Sequence, residues 1–148
     1  MSSMHSVGSP VASKCIDGVT TYPLSPCASL DWAVCHSSMC ITLNNPQEWL
    51  VITVTGYSVN KVVVYNRIDG SEYGHTSRIN NAKLIYTYDF AGTSIIHQSS
   101  FGTTASSVYT FDFSTTSYVR IQQTTSGYAI SLLEVALYND NGKIPISG

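Results

Sequence analysis

From Glu48 onward the chain produces a series of short apolar runs, rich in β-branched and aromatic residues and too brief for helices. The clearest are 48–55 (EWLVITVT), 59–67 (VNKVVVYNR), 82–88 (AKLIYTY), 108–113 (VYTFDF), 118–123 (YVRIQQ) and 130–138 (ISLLEVALY), with a weaker one at 94–97 (SIIH). Gly, Ser, Thr and Asn separate them, and no helical period fills the gaps. Seven or eight strands at this spacing predict an all-β, antiparallel β-sandwich. The run Val62 to Tyr65 is apolar on both faces, so it is expected in the middle of a sheet.

A chain of 148 residues can bury one core and is too short to divide comfortably into two. Residues 1–10 read as a flexible lead-in, 11–138 as the sandwich and 139–148 as a linker or tail. Charged residues make up 11% of the chain and its net charge is −2, with no basic cluster. That excludes an electrostatic footprint for nucleic acid. Apolar spikes with basic neighbours, which would dock a loop on a membrane, are missing from the sequence, as is any run of about 18 apolar residues. The start, MSSMHSVGSPVAS, has neither the basic nor the apolar part of a secretory signal.

Cys15, Cys27, Cys35 and Cys40 all fall in an irregular, turn-rich stretch before the strands. An even number clustered this way suggests one or two disulfides, with three full pairings open. Zinc is the rival reading for Cys35, His36 and Cys40, but the widely spaced Cys15 and Cys27 and the lack of a C-x-x-C pair argue against it. Buried free thiols are a third reading.

Four segments resemble the discoidin domains (coagulation factor five/eight type C) and their relatives, the fucose-binding F-type lectins. Ala12 to Gly18 (ASKCIDG) is similar to their A-x-x-A-I-D-G opening, and Glu48 to Val54 to their W-W-x-V-D-L strand, with Glu for the first Trp and Thr for the Asp. Val62 to Asp69 (VVVYNRID), with Arg78 and Asn81-Ala82 beyond it, is similar to V-x-V-Y-N-R-x-D and its continuation. Tyr118 to Ile121 (YVRI) and Ser131 to Tyr138 (SLLEVALY) resemble the closing strands. The resemblance spans Val11 to Tyr138 and implies a galactose-binding-like sandwich, an eight-stranded jelly roll with its binding loops at one end.

The resemblance also implies site residues. In F-type lectins a histidine and two arginines grip fucose; here Arg67 and Asp69 match the R-x-D pair, and Arg78 is the candidate second arginine across a lengthened loop. His36 or His75 is the candidate histidine, and Tyr73, Tyr22, Trp32 and Phe101 are loop aromatics that could stack on a sugar ring. An arginine fork suits paired hydroxyls, and an aspartate can hold it in place. The alternative for Arg67 and Asp69 is an internal ion pair that pins the loop. Trp49 reads as core, while His5 and His97 read as residues without a role. Asp17 and Glu134 stand where those lectins hold a structural calcium.

Catalytic signatures are missing from the sequence: there is no G-x-S-x-G, no H-E-x-x-H, no phosphate-cradling glycine loop and no paired acidic motif. The expected function is therefore a non-catalytic carbohydrate-binding module outside the cell or on a particle or virion surface. Its partner would be a glycan or glycoprotein, with avidity from a homo-oligomer or a larger parent. The rival is a protein-interaction or structural domain, such as a fibre head or attachment protein, that contacts a protein receptor and binds no sugar.

Overall fold

The computed structural model describes residues 15–16, 40–42, 48–67, 76–113, 116–125 and 129–146. Nine strands run through them: β1 (Cys40–Ile41), β2 (Trp49–Thr53), β3 (Lys61–Asn66), β4 (Lys83–Thr87), β5 (Ile95–Ser100), β6 (Val108–Asp112), β7 (Tyr118–Gln122), β8 (Ser131–Asn139) and β9 (Gly142–Lys143). A 3-10 turn, Thr76–Ile79, precedes β4. Two antiparallel sheets result. One has the order β1-β8-β3-β6 with β9 added to β8, and the other has the order β2-β7-β4-β5.

Side-chain alternation explains the sandwich. In the second sheet Leu50 and Ile52 of β2, Val119 and Ile121 of β7, and Leu84 and Tyr86 of β4 turn inward to meet Val62, Val64, Val135 and Leu137 of the first. At roughly 25 cal/mol per Å² of apolar area, each such side chain contributes about 1.5–3 kcal/mol by leaving water. The run at Val62–Val64 is buried on both faces, as a strand between two neighbours should be, and β3 lies between β8 and β6. Tyr86 carries its phenol into this core and donates its hydroxyl to the Asp112 carbonyl at 2.7 Å. Burial, with the Asp112 charge adding to it, raises its pKa.

Two expectations are corrected. The segment after Tyr138 is more than a linker: β8 continues through Asn139, turns at Asp140–Asn141 and returns as β9, and Ile144 is buried in the core. Its mix of Asn, Asp and Gly is turn chemistry, which serves a tight hairpin as well as a tail. β5 extends to Ser100, beyond the four residues expected, because Lys83 to Thr87 of β4 supply a ladder for it. The β3–β8 register slips between Tyr65 and Asn66, so Leu132 turns into the core while Glu134 and Ala136 lie on the outer side.

Cys15 is fully buried and disulfide-bonded, its partner lying outside the described side chains. Among the described residues no helix is long and apolar enough to cross a membrane.

Candidate functional site

β3 ends by delivering Arg67 to one pole of the sandwich, where three further connections converge: the turn before β4, the β5–β6 loop and the β7–β8 loop. Asn66 is the hub. Its Nδ2 donates to the Thr76 and Ser106 carbonyls, both at 3.0 Å, and its backbone N–H to Ser107 at 2.8 Å. Asn81 adopts φ 62°, a left-handed conformation that Asn tolerates better than most residues, and its N–H donates to the Gly102 carbonyl at 2.7 Å.

Gln123 ties the β7–β8 side to the same turn. It is 1% exposed; Nε2 donates to the Arg78 carbonyl, while Oε1 accepts the N–H groups of Thr124 and Thr125 at 2.7 and 2.9 Å. Thr124 Oγ1 then donates to the Asn81 carbonyl at 2.7 Å. Sequence reasoning missed Asn66 and Gln123 as organisers of the pole. A polar residue at the end of an apolar strand was the signal. Two buried acceptors in this region, Oδ1 of Asn66 and Oδ1 of Asn80, have no hydrogen-bond partner among the described residues.

Arg67 is 2% exposed, the largest fully buried side chain described, and its Nη1 donates to Ser131 Oγ at 3.3 Å. Burying a guanidinium is expensive unless its donors are met, so this side chain braces β3 against β8. Arg78 lies partly exposed on the 3-10 turn. The turn whose carbonyl at Thr76 is held by Asn66 thus presents the second arginine at the same pole as the first. Asp69, Tyr73, His75 and His36, with Asp17, Tyr22, Trp32 and His5, lie outside the described residues.

Phe101 is not a loop aromatic waiting for a ligand. It is 4% exposed, with its ring edge-on to Tyr109 and Phe111 at 4.8 and 5.0 Å. The Ala82 carbonyl accepts its N–H at 3.0 Å, which fixes it at the core's edge. His97 is exposed on β5, its ring stacked with that of Tyr86 and its Nε2 3.2 Å from Ser99 Oγ.

Glu134 is fully buried, and Lys143 Nζ donates to its Oε1 at 2.8 Å. In line with it on β3, Tyr65 has its pKa raised, first by the hydrogen bond to Tyr138 and then by burial, with the Tyr138 and Glu134 charges adding. Calcium takes several oxygen ligands. The described residues supply one carboxylate with an ammonium already on one oxygen, and among them no three His, Cys, Asp or Glu side chains gather to hold a metal.

Trp49, expected in the core, stands instead on the outer face of the second sheet, half-buried, with the Arg120 Cζ 4.4 Å from its ring centre. Its neighbours Leu50 and Ile52 are the inward residues, and strand parity puts Trp49 on the other side.

No protein-family model matches the chain, and no curated protein sequence does. Solved structures do. The lectin domain of lectinolysin complexed with Lewis B antigen superposes with a TM-score of 0.71 at 21% identity, over 94% of this chain and 89% of that one. A Streptococcus pneumoniae fucose binding module, SpX-3, gives 0.70 at 21% over 93% and 90%. The module CBM32-1 from a family 31 glycoside hydrolase of Clostridium perfringens gives 0.60 at 16% over 94% and 90%. At these identities the likeness is one of backbone architecture, and on it, with the two antiparallel sheets, the chain has the galactose-binding-like β-sandwich fold.

Proposed function

We propose that the protein is a non-catalytic carbohydrate-binding module whose site is the loop pole around Arg67 and Arg78. The observation that carries this is the match over nearly the whole chain to modules described as binding Lewis B antigen and fucose. Rigid sandwiches of this kind put ligand contacts on loops, and the hydrogen-bonded pole built by Asn66 and Gln123 is a suitably fixed platform.

The two arginines divide the work. Arg67, internal and bonded to Ser131, forms the floor and holds its loop, with Asp69 as the expected companion. Arg78, partly exposed, donates to ring hydroxyls, and a loop aromatic such as Tyr73 packs on the C–H face of the sugar. One sugar held this way gives modest affinity, so display in several copies on a cell or particle surface supplies avidity.

A glycan array with wild type and Arg78→Ala tests the reading. Binding to fucosylated glycans by wild type, weakened about tenfold or more in the variant, is expected. No glycan bound by well-folded wild type would sink the proposal, whereas unchanged binding by Arg78→Ala would move the site elsewhere. The same array with a chelator added tests the calcium expected at Asp17 and Glu134.

A further inference from the structure

The outer face of the second sheet holds a cation that the loop pole does not use. Arg120 is 8% exposed, and among the described residues no carboxylate forms an ion pair with it. Its Nε donates to Gln122 Oε1 at 3.1 Å and its Nη1 to the Ala91 carbonyl at 3.1 Å, while Nη2 has no acceptor among the described residues. The guanidinium lies over the Trp49 ring, and the Gly92 backbone comes so close that a Cβ there would sit 3.1 Å from both Cδ and Nη1. Asp89 is nearby, but its two oxygens accept the N–H groups of Thr93 and Ser94 at 3.0 and 2.5 Å.

Beside this cation stands an aromatic wall. The loop between β4 and β5 folds back over the sheet so that Phe90 meets Trp49 edge-on at 5.7 Å and Tyr118 at 5.9 Å. Phe90 nonetheless remains 55% exposed. The loop is held from both sides, by Asp89 on its own amides and by Arg120 on the Ala91 carbonyl, so the ring is presented at little entropic cost. Lys83 adds a second positive charge on the same face, two residues from the position that pairs with Arg120.

We propose that Trp49, Phe90, Tyr118 and Arg120 form a second ligand site, distinct from the loop pole, that takes an acidic pyranoside. The sugar's C–H face packs on Phe90, and its carboxylate accepts from Arg120 Nη2. Asp89 supplies charge nearby but no direct ion pair, so a ligand carboxylate on Nη2 adds a charge-assisted hydrogen bond that a neutral sugar cannot make. A carboxylate alone lacks the contact with the ring.

The test is an NMR titration of the full chain with methyl glucuronide, methyl glucoside and acetate, following the Trp49 indole and Arg120 Nε–H signals. Saturable shifts with the glucuronide are expected, with affinity about tenfold or more weaker for the glucoside, for acetate and for the Phe90→Ala protein. Phe90 is exposed, so its removal leaves the fold intact; Arg120→Gln, checked for cooperative unfolding, is the second variant and should lose the preference for the acid. Absence of saturable shifts, shifts confined to residues of the loop pole, equal affinity for glucuronide and glucoside, or unaltered binding by Phe90→Ala would each overturn the proposal.

Discussion

Lys143 Nζ lies 2.8 Å from Oε1 of Glu134, a carboxylate with 1% of its side chain exposed. The ammonium comes from the short return strand β9, and its target lies on the long strand β8 beside it. Lys143→Met removes a charge partner from a buried acid. Breaking a wholly buried pair costs about 3–5 kcal/mol. Because the lysine side chain is 36% exposed, solvent softens the loss, and destabilisation of about 1–3 kcal/mol is expected. Urea unfolding with an unchanged slope would measure it; a midpoint equal to wild type would show that the tail contributes nothing through this pair.

Phe101→Ala should be costly for stability. The ring fills the space between Tyr109, Phe111 and the core, so its loss leaves a cavity and costs about 3–5 kcal/mol. A loop stacking residue would give the opposite pattern, with stability retained and sugar binding lost. Thermal unfolding and glycan binding measured on the same preparation separate the two.

Gly92 adopts φ +79°, and a Cβ there would sit 3.1 Å from Arg120 Cδ and Nη1, so a side chain is strained by conformation and by contact. Gly92→Ala is expected to cost about 1–3 kcal/mol and to shift the guanidinium off Trp49. Tryptophan fluorescence should change with it. An emission spectrum identical to wild type would show that the stack tolerates the intrusion.

Asp89 has its pKa lowered from the ordinary 3.8, chiefly by the backbone N–H groups of Thr93 and Ser94. The folded value lies below the unfolded one, so the stabilisation of the loop is complete above about pH 4 and is lost as pH falls through the folded value. The amide signals of Thr93 and Ser94 should titrate together with a midpoint below 3.8. Asp89→Ala should abolish that titration and loosen the loop at neutral pH. A midpoint at the ordinary value would contradict the hydrogen bonding described.

By itself the sequence determined the fold class, because strand alternation is a local property. Apolar residues two apart must share a face, and at Val62–Val64 both faces had to be covered. The same reasoning located β2, β3, β4, β6, β7 and most of β8 within a residue or two. It found the arginine at the exit of β3 but not Asn66 or Gln123, whose partners at Thr76, Ser106 and Arg78 are distant in sequence.

Tertiary structure alone decided what each aromatic and each charge would do. Trp49 and Phe101 exchanged their expected places. Strand parity and the inter-sheet core put the first on the outside, and the closing of the β5–β6 loop put the second inside. A one-residue slip in pairing turned Leu132 into the core although Glu134, two residues on, lies on the outer side, and a hairpin that the composition read as a tail brought Lys143 to Glu134. The sequence names such groups and their spacing along the chain. Their burial and partners depend on register between strands remote in sequence, and that register is fixed only when the two sheets close on a common core.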